Sequence, residues 1–308
     1  MKSLEQTFIK IPHCDPFVKW VGGKTQLLKT ELDPMIPSRF SRYLEPFLGG
    51  GSMYLHMVSD LKLTFPACLS DINTDLITSY HIVKNNVTEL IEILQTYEQG
   101  YKASDNKRQY FNDLRDDYNH QRRSQKGVDM VAMFITINKI DFNGMFRVNQ
   151  NGDFNVPWRK YDQNIPTICD KQNLLNVSTV LNHSNPLIGC GDYTGMLLSE
   201  AVEDDFVYLD PPYYPISETS NFTSYSTNGF TKEDHIKLSK IFAKLSDRGC
   251  KVLLSNSNIE FIKELYSDFT IKEISTLRSI NSKAERRSKE KNTELIISNW
   301  EIVRNETP

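Results

Sequence analysis

The amino-acid sequence predicts an α/β protein in which both ends of the chain build one doubly wound sheet and a mostly helical segment is inserted between them. The runs Phe206-Val207-Tyr208-Leu209 and Lys251-Val252-Leu253-Leu254 are short and apolar, as strands buried on both faces are. Between Tyr43 and Asp71 a short strand, a glycine turn, an apolar helix, a second strand and an acid follow in the order of a nucleoside-binding βαβ unit. From about Leu76 to Asn185 the texture is helical, without strand alternation.

The 308 residues allow one large domain or two ordinary ones, and 39% hydrophobic with 24% charged residues is the composition of a soluble globular protein. No apolar stretch approaches the ~18 residues of a membrane span. The polar start Met1-Lys2-Ser3-Leu4-Glu5-Gln6 lacks a signal-peptide core, so a cytoplasmic protein without a membrane partner is expected. Cys14, Cys68, Cys169, Cys190 and Cys250 show neither zinc nor redox spacing, so reduced thiols and no metal are expected. A net charge of −3 gives no global sign of nucleic-acid binding, and such a partner must be held by local basic patches.

The first informative stretch runs from Phe17 to Leu28. Its Gly23-Lys24-Thr25 ending imitates a phosphate-binding loop, but Val18 stands where that loop needs glycine, and the imitation fails. What remains is a Gly22-Gly23 turn between Trp20 and Lys24, leading into an apolar-periodic helix through Leu27, Leu28 and Leu32. A ligand's carboxylate could meet Lys24 there while Trp20 packs on it; a helix-start turn with a solvated lysine has the same pattern. Next, Tyr43-Leu44-Glu45 leads through Gly49-Gly50-Gly51 into a helix carrying Met53, Leu55, Met57 and Val58, a turn that lets a cofactor lie against a helix N-terminus. The strand Ala67-Cys68-Leu69-Ser70-Asp71 ends about twenty residues later in the acid that such folds use to hold ribose hydroxyls.

In the helical segment, Val87 to Tyr97 is amphipathic and Val128 to Ile137 is apolar enough for a core helix. The charged run from Lys102 to Lys126 mixes both signs and reads as a solvated helix surface. After it, Asp141-Phe142-Asn143-Gly144-Met145-Phe146-Arg147-Val148-Asn149 and Gly152-Asp153-Phe154-Asn155-Val156-Pro157-Trp158-Arg159 alternate aromatics, asparagines and arginines around two glycine turns. That composition suits base-edge and phosphate contacts; a hairpin packing its aromatics inward would look the same.

Ile188-Gly189-Cys190-Gly191-Asp192-Tyr193 precedes the strand that ends at Asp210 and could bring Asp192 and Tyr193 to the same crevice. Asp210-Pro211-Pro212-Tyr213 follows that strand directly, and its two prolines remove two N–H donors from a stiffened loop. A carboxylate, rigid carbonyls and an aromatic face together suit the exocyclic amine of a nucleobase. A strand-ending turn that happens to hold two prolines is the plainer reading. Thr219 to Gly229 is long enough to cover a substrate, and a helix capped at Thr231 stops near Gly249. The strand Lys251 to Asn256 ends in polar residues, Ile259 to Tyr266 is helical, and Phe269 to Ile274 and Glu294 to Trp300 read as late antiparallel strands. Between them Arg278, Lys283, Arg286, Arg287, Lys289 and Lys291 form the densest basic patch, a candidate phosphate-contacting arm.

Taken in order, Phe-x-Lys-Trp-x-Gly-Gly-Lys, Glu-Pro-Phe-x-Gly-Gly-Gly, Asp-Ile-Asn, Asn-Gly-x-x-Arg-x-Asn with Gly-x-Phe-Asn-Val-Pro, and Asp-Pro-Pro-Tyr make the chain resemble Dam-type DNA adenine-N6 methyltransferases from Phe17 to about Trp300. It is particularly similar to members of restriction-modification systems that recognise GATC. The resemblance implies a Rossmann-like S-adenosylmethionine-dependent methyltransferase sheet of seven strands (residues 1–75 and 187–308) with an inserted, mostly helical target-recognition domain (residues 76–186). It implies S-adenosylmethionine as donor, with no metal, and double-stranded DNA containing the target adenine as partner. A cognate restriction endonuclease sharing the target is a further implied partner. By position, donor binding falls on Trp20, Lys24, Gly49, Gly51, Asp71 and Asp210, with Asp192 and Tyr193 at the donor's adenine side. Catalysis falls on Asp210, Pro211, Pro212 and Tyr213, and DNA contact on Phe142, Asn143, Met145, Arg147, Asn149 and Pro157. Phe142 stands where other members have tyrosine, and Asp192-Tyr193 replaces an Asp-Phe pair.

The implied chemistry flips the adenine out of the duplex into the Pro-Pro loop. A cytosine-N4 methyltransferase would commonly carry serine in place of Asp210, and a protein-glutamine or RNA amine methyltransferase asparagine. A DNA-binding module with a dead donor pocket is the alternative from another class, against which the intact Asp210, Asp71 and Lys24 stand.

Overall fold

The computed structural model describes residues 10–24, 27–124, 127–161, 165–215, 229–276 and 292–301. Seven strands, β1 (Tyr43–Glu45), β2 (Ala67–Asp71), β3 (Leu187–Cys190), β4 (Phe206–Leu209), β5 (Lys251–Ser257), β6 (Thr270–Thr276) and β7 (Asn292–Ser298), form one sheet in the order β3-β2-β1-β4-β5-β7-β6. The first five are parallel, and β7 runs antiparallel between β5 and β6. Successive connections leave β1 in opposite directions, toward β2 and toward β4, so a crevice opens at the carboxyl ends of these two strands.

The helices are α1 (Ser52–Ser59), α2 (Thr74–Asn85), α3 (Val87–Ala103), α4 (Lys107–Ser124), α5 (Val128–Ile140), α6 (Lys171–Ser184), α7 (Tyr193–Ser199), α8 (Lys232–Asp247) and α9 (Glu260–Leu265). Strand side chains alternate between two cores, as the pleat requires. Leu44, Val207, Leu209, Val252 and Leu254 pack with Leu197 of α7, Phe242 of α8 and Ile262 of α9. Tyr43, Leu69, Phe206, Tyr208 and Leu253 belong to the opposite core, which continues through α1, α2 and α6 into α3, α4 and α5. Burial on both faces explains why the central strands read as unbroken apolar runs. Short polar side chains start several helices: Asn73 caps α2, Asp170 caps α6, Asp192 caps α7, and Thr231 with Asp234 forms a capping box on α8.

Two elements differ from expectation. The helix expected through Leu27, Leu28 and Leu32 is one π-helical turn, Leu28–Leu32, running into a 3-10 turn at Asp33–Met35, because Pro34 cannot extend the helical ladder. Leu187–Cys190, read only as the approach to the next strand, is itself the edge strand β3; its exposed Leu187 and its Gly189 hide the usual apolar signature. The basic residues from Arg278 to Lys291, and the loop from Thr219 except Gly229, lie outside the described residues. Among the described residues no helix is long and apolar enough to cross a membrane, and no group of three or more His, Cys, Asp or Glu side chains is arranged to hold a metal ion.

Candidate active site

Strand β4 delivers Asp210 to the crevice, where its carboxylate meets the ammonium of Lys24. Lys24 Nζ donates to both carboxylate oxygens at 2.8 Å and to the Gly22 carbonyl at 2.6 Å. Ser255 Oγ, from β5, adds a third donor to Asp210 Oδ1 at 2.6 Å. Burial raises the Asp210 pKa above the usual carboxylate value, and the Lys24 charge opposes that rise. The same ammonium stands 4.8 Å over the ring of Tyr213, whose hydroxyl donates to Glu294 Oε2 at 2.8 Å. The loop's far end is pinned to β5: the Tyr214 N–H donates to Asn256 Oδ1 at 3.2 Å, and Ser257 Oγ donates to the Tyr214 carbonyl at 2.6 Å. The polar end of β5 therefore holds the Pro-Pro loop in place.

The glycine turn lies beside it, after β1. Gly49 (φ 49°) and Gly51 (φ 67°) are left-handed, and the space around each is filled. A Cβ on Gly49 would come within 2.7 Å of the Trp20 ring, and one on Gly51 within 2.5 Å of the Tyr80 hydroxyl. Asp71, at the end of β2, accepts the Gly49 N–H at 3.0 Å and the Asn73 N–H at 2.9 Å, and burial raises its pKa. Tyr80 of α2 donates to the Gly49 carbonyl at 3.1 Å. Trp20, Lys24, Gly49, Gly51, Asp71, Asp210, Pro211, Pro212 and Tyr213 are thus drawn to the carboxyl ends of three neighbouring strands.

Beyond Asp71, Ile72 of the Asp-Ile-Asn motif is 64% exposed, an apolar surface to which the sequence reading gave no role. Asp192 accepts the Thr194 N–H at 2.8 Å as the cap of α7. Tyr193 packs its ring 5.0 Å from Phe47, which follows β1, and its buried hydroxyl has no partner among the described residues. Burial pushes the Tyr193 pKa up to about 12. A left-handed glycine turn opening onto a helix start, a half-buried acid and an unsatisfied hydroxyl fit a nucleoside with a charged tail.

Residues 141–159 form an irregular hairpin with bridges between Asp141 and Trp158 and between Val148 and Phe154. Its first turn passes through Asn143 (φ 66°) and Gly144 (φ 63°), and the Gly144 N–H closes it on Asp141 Oδ1 at 2.7 Å. Phe146 and Phe154 pack inward, whereas Phe142 is 42% exposed and its N–H donates to the Pro157 carbonyl at 3.0 Å. Asn143 accepts from Arg159 at 3.4 Å, and Met145 packs half-buried on the core. Arg147 holds the Asn155 side chain through Nε at 2.7 Å, while Asn149 Oδ1 closes the second turn on the Asn151 and Asp153 N–H groups. Asp141 is fully buried, its Oδ2 has no partner among the described residues, and burial pushes its pKa up to about 8.

Helix α4 is solvated along most of its charged face, as expected, with Arg108, Asp113, Asp116 and Asp117 exposed, but one edge of it meets this hairpin. Asn119 makes two hydrogen bonds to the Phe154 backbone, at 2.7 and 3.0 Å, and Arg122 bridges Asp75 to the Gly152 carbonyl. A groove of about 460 Å³ separates α4 from the hairpin, lined by Arg115, Asn119, His120, Arg123, Asn149 and Asn155. Mixed charges on a helix are the pattern of an exposed face, and only the tertiary contacts reveal the hairpin against it.

The model of the D12 class N6 adenine-specific DNA methyltransferase family matches residues 20–280. Type II methyltransferase M.MjaIII of Methanocaldococcus jannaschii is 40% identical over 294 residues, covering 92% of this chain and 99% of that protein. Type II methyltransferase M1.LlaDCHI of Lactococcus lactis subsp. cremoris is 37% identical over 286 residues, covering 92% and 95%. The DNA adenine methylase of Escherichia coli strain K12 is 31% identical over 273 residues, covering 89% and 91%.

Proposed function

The chain belongs to the D12 class of N6 adenine-specific DNA methyltransferases, and from that premise we propose that it methylates the adenine of GATC in duplex DNA, protecting the DNA within a restriction-modification system. The Type II designation of two relatives supports that role and a cognate endonuclease sharing the target. The observation that carries the reading is the acceptor-only Pro-Pro loop, whose Asp210 is locked by Lys24 and Ser255 at the end of β4.

The family implies S-adenosylmethionine, which when bound supplies an electrophilic sulfonium methyl. Trp20, Lys24, Gly49, Gly51, Asp71 and Asp210 would hold it, with Asp192 and Tyr193 at its adenine side. The target adenine, flipped from the stack, donates its two amine hydrogens to the Asp210 carboxylate and the Pro211 carbonyl. Asp210 Oδ2 carries a lone pair beyond the one Lys24 uses, so the ion pair and the amine can be served together. These bonds favour a tetrahedral nitrogen whose lone pair is no longer spread into the ring. Tyr213 stacks on the base, and Pro212 keeps the loop stiff. Asp210, its basicity raised by burial, receives the proton that the methylated nitrogen sheds.

Residues 76–186 form the target-recognition part and residues 1–75 with 187–308 the catalytic part in this reading. Phe142 reaches into the duplex, Met145 and Arg147 read bases, and Asn143, Asn149 and Pro157 shape the contact. Support comes from the exposed Phe142 and the turn geometry around it. The work is cytoplasmic, where the DNA is. The test is transfer of labelled methyl from S-adenosylmethionine to two duplexes that differ only at the adenine of GATC. Label on the GATC duplex alone, recovered as N6-methyladenine, is expected; equal label on both would discard the target.

A further inference from the structure

Resting on that reading, we propose that Asn138 is a positioning residue that couples target recognition to the donor pocket by gripping the backbone of Lys19. Asn138 lies in the last turn of α5, directly before the hairpin, and is 2% exposed. Its Oδ1 accepts the Lys19 N–H and its Nδ2 donates to the Lys19 carbonyl, both at 2.8 Å. The two bonds close a ring that satisfies both backbone groups of a residue lying outside any helix or strand. Lys19 Nζ adds a second tie, donating to the Lys139 carbonyl at 2.7 Å.

The hairpin closes on the same residue from the other side. Gly144 is left-handed, and a Cβ placed on it would lie 2.3 Å from Lys19 Cβ and 3.1 Å from the Lys19 carbonyl oxygen. The next residue, Trp20, stacks on Phe146 of the hairpin, with centroids 6.2 Å apart and planes 24° apart. Its ring also fills the space that a side chain on Gly49 would need. The dipeptide Lys19-Trp20 is therefore in contact with the reading hairpin on one side and the donor turn on the other, without slack. Packed contacts of this kind shift as a unit, so a hairpin seated on its target repositions Trp20 against the glycine turn. Coupling of this type is reciprocal: each ligand changes the other's affinity by the same factor.

The experiment measures the dissociation constant of S-adenosylhomocysteine, an unreactive probe, with and without a GATC duplex. Wild type is expected to bind it at least about five-fold more tightly with the duplex present. In Asn138→Ala that ratio falls to about one, while binding of each ligand alone persists; Asn138→Asp, which keeps the acceptor and loses the donor, falls between. A purely structural role would weaken both binary affinities and leave the ratio intact. A wild-type ratio near one, or an unchanged ratio in Asn138→Ala, overturns the coupling. Should Asn138→Ala fail to fold, Phe146→Leu removes the Trp20 stack from the hairpin side, and an unchanged ratio there overturns it equally. Wild type that binds no S-adenosylhomocysteine at all would overturn the functional reading and the coupling with it.

Discussion

At Asp210 the ion pair decides which substitution is informative. Lys24 is 3% exposed, so Asp210→Ala strands a buried cation and adds a folding cost of up to about 3–5 kcal/mol to any catalytic loss. Asp210→Asn keeps the shape, and single-turnover methyl transfer is expected to fall by about 10²–10³ while the protein still melts cooperatively. Arg147→Ala is expected to relax preference at one base pair by about 1–3 kcal/mol, whereas equal loss on every sequence would argue for a packing role through Asn155. Asp141 makes stability depend on pH. Its folded pKa of about 8 lies above the unfolded carboxylate value, so the native state holds the extra proton. Stability therefore falls as pH rises through the window from about 4 to 8, by roughly 1.4 kcal/mol per unit, and levels off above it. Asp141→Asn is expected to flatten this dependence in thermal melts. The candidate residues legible in the sequence were those in unusual local combinations: two adjacent prolines after an acid, a glycine triplet, a lysine in a glycine turn. Ser255, Glu294 and Tyr80 were not legible, since each acts through hydrogen bonding to groups remote in the chain.

At the scale of elements, the glycine turn offers the sharpest test. Gly51→Ala forces a left-handed alanine into the Tyr80 hydroxyl and is expected to destabilise the fold by at least about 1 kcal/mol. The penalty should shrink in a Tyr80→Phe background, which vacates the colliding oxygen; an unchanged penalty in the melts would assign it to backbone strain alone. Strands β4 and β5 were legible because burial on both faces leaves an apolar run, and β1 and β2 because a glycine turn and an acid follow them in the order of a nucleoside-binding unit. Edge strand β3 was not, being half exposed, and the short turns at Leu28–Met35 escaped because apolar spacing continues past the proline that stops the helix. The charged face of helix α4 is solvated, as its mixed charges indicate; its contact with the hairpin was not legible because a loop backbone, rather than an apolar patch, receives Asn119 and Arg122.

For the molecule as a whole, the sheet order places Lys24, Asp71 and Asp210 at one crevice although they are scattered over nearly two hundred positions of sequence. An inserted helical segment and a continuous core bring the hairpin against the Lys19-Trp20 dipeptide at the rim of that crevice. Composition could not announce a DNA enzyme, because a net charge of −3 averages over the whole surface. The central claim is that the target base occupies the Pro-Pro loop with Tyr213 against its face, and photocrosslinking tests it most directly. A duplex carrying 5-iodouracil in place of the target adenine is irradiated with the protein and S-adenosylhomocysteine, and the crosslinked peptide is sequenced. A crosslink at Tyr213 is the expected result; crosslinks confined to Phe142 and its hairpin would contradict the account.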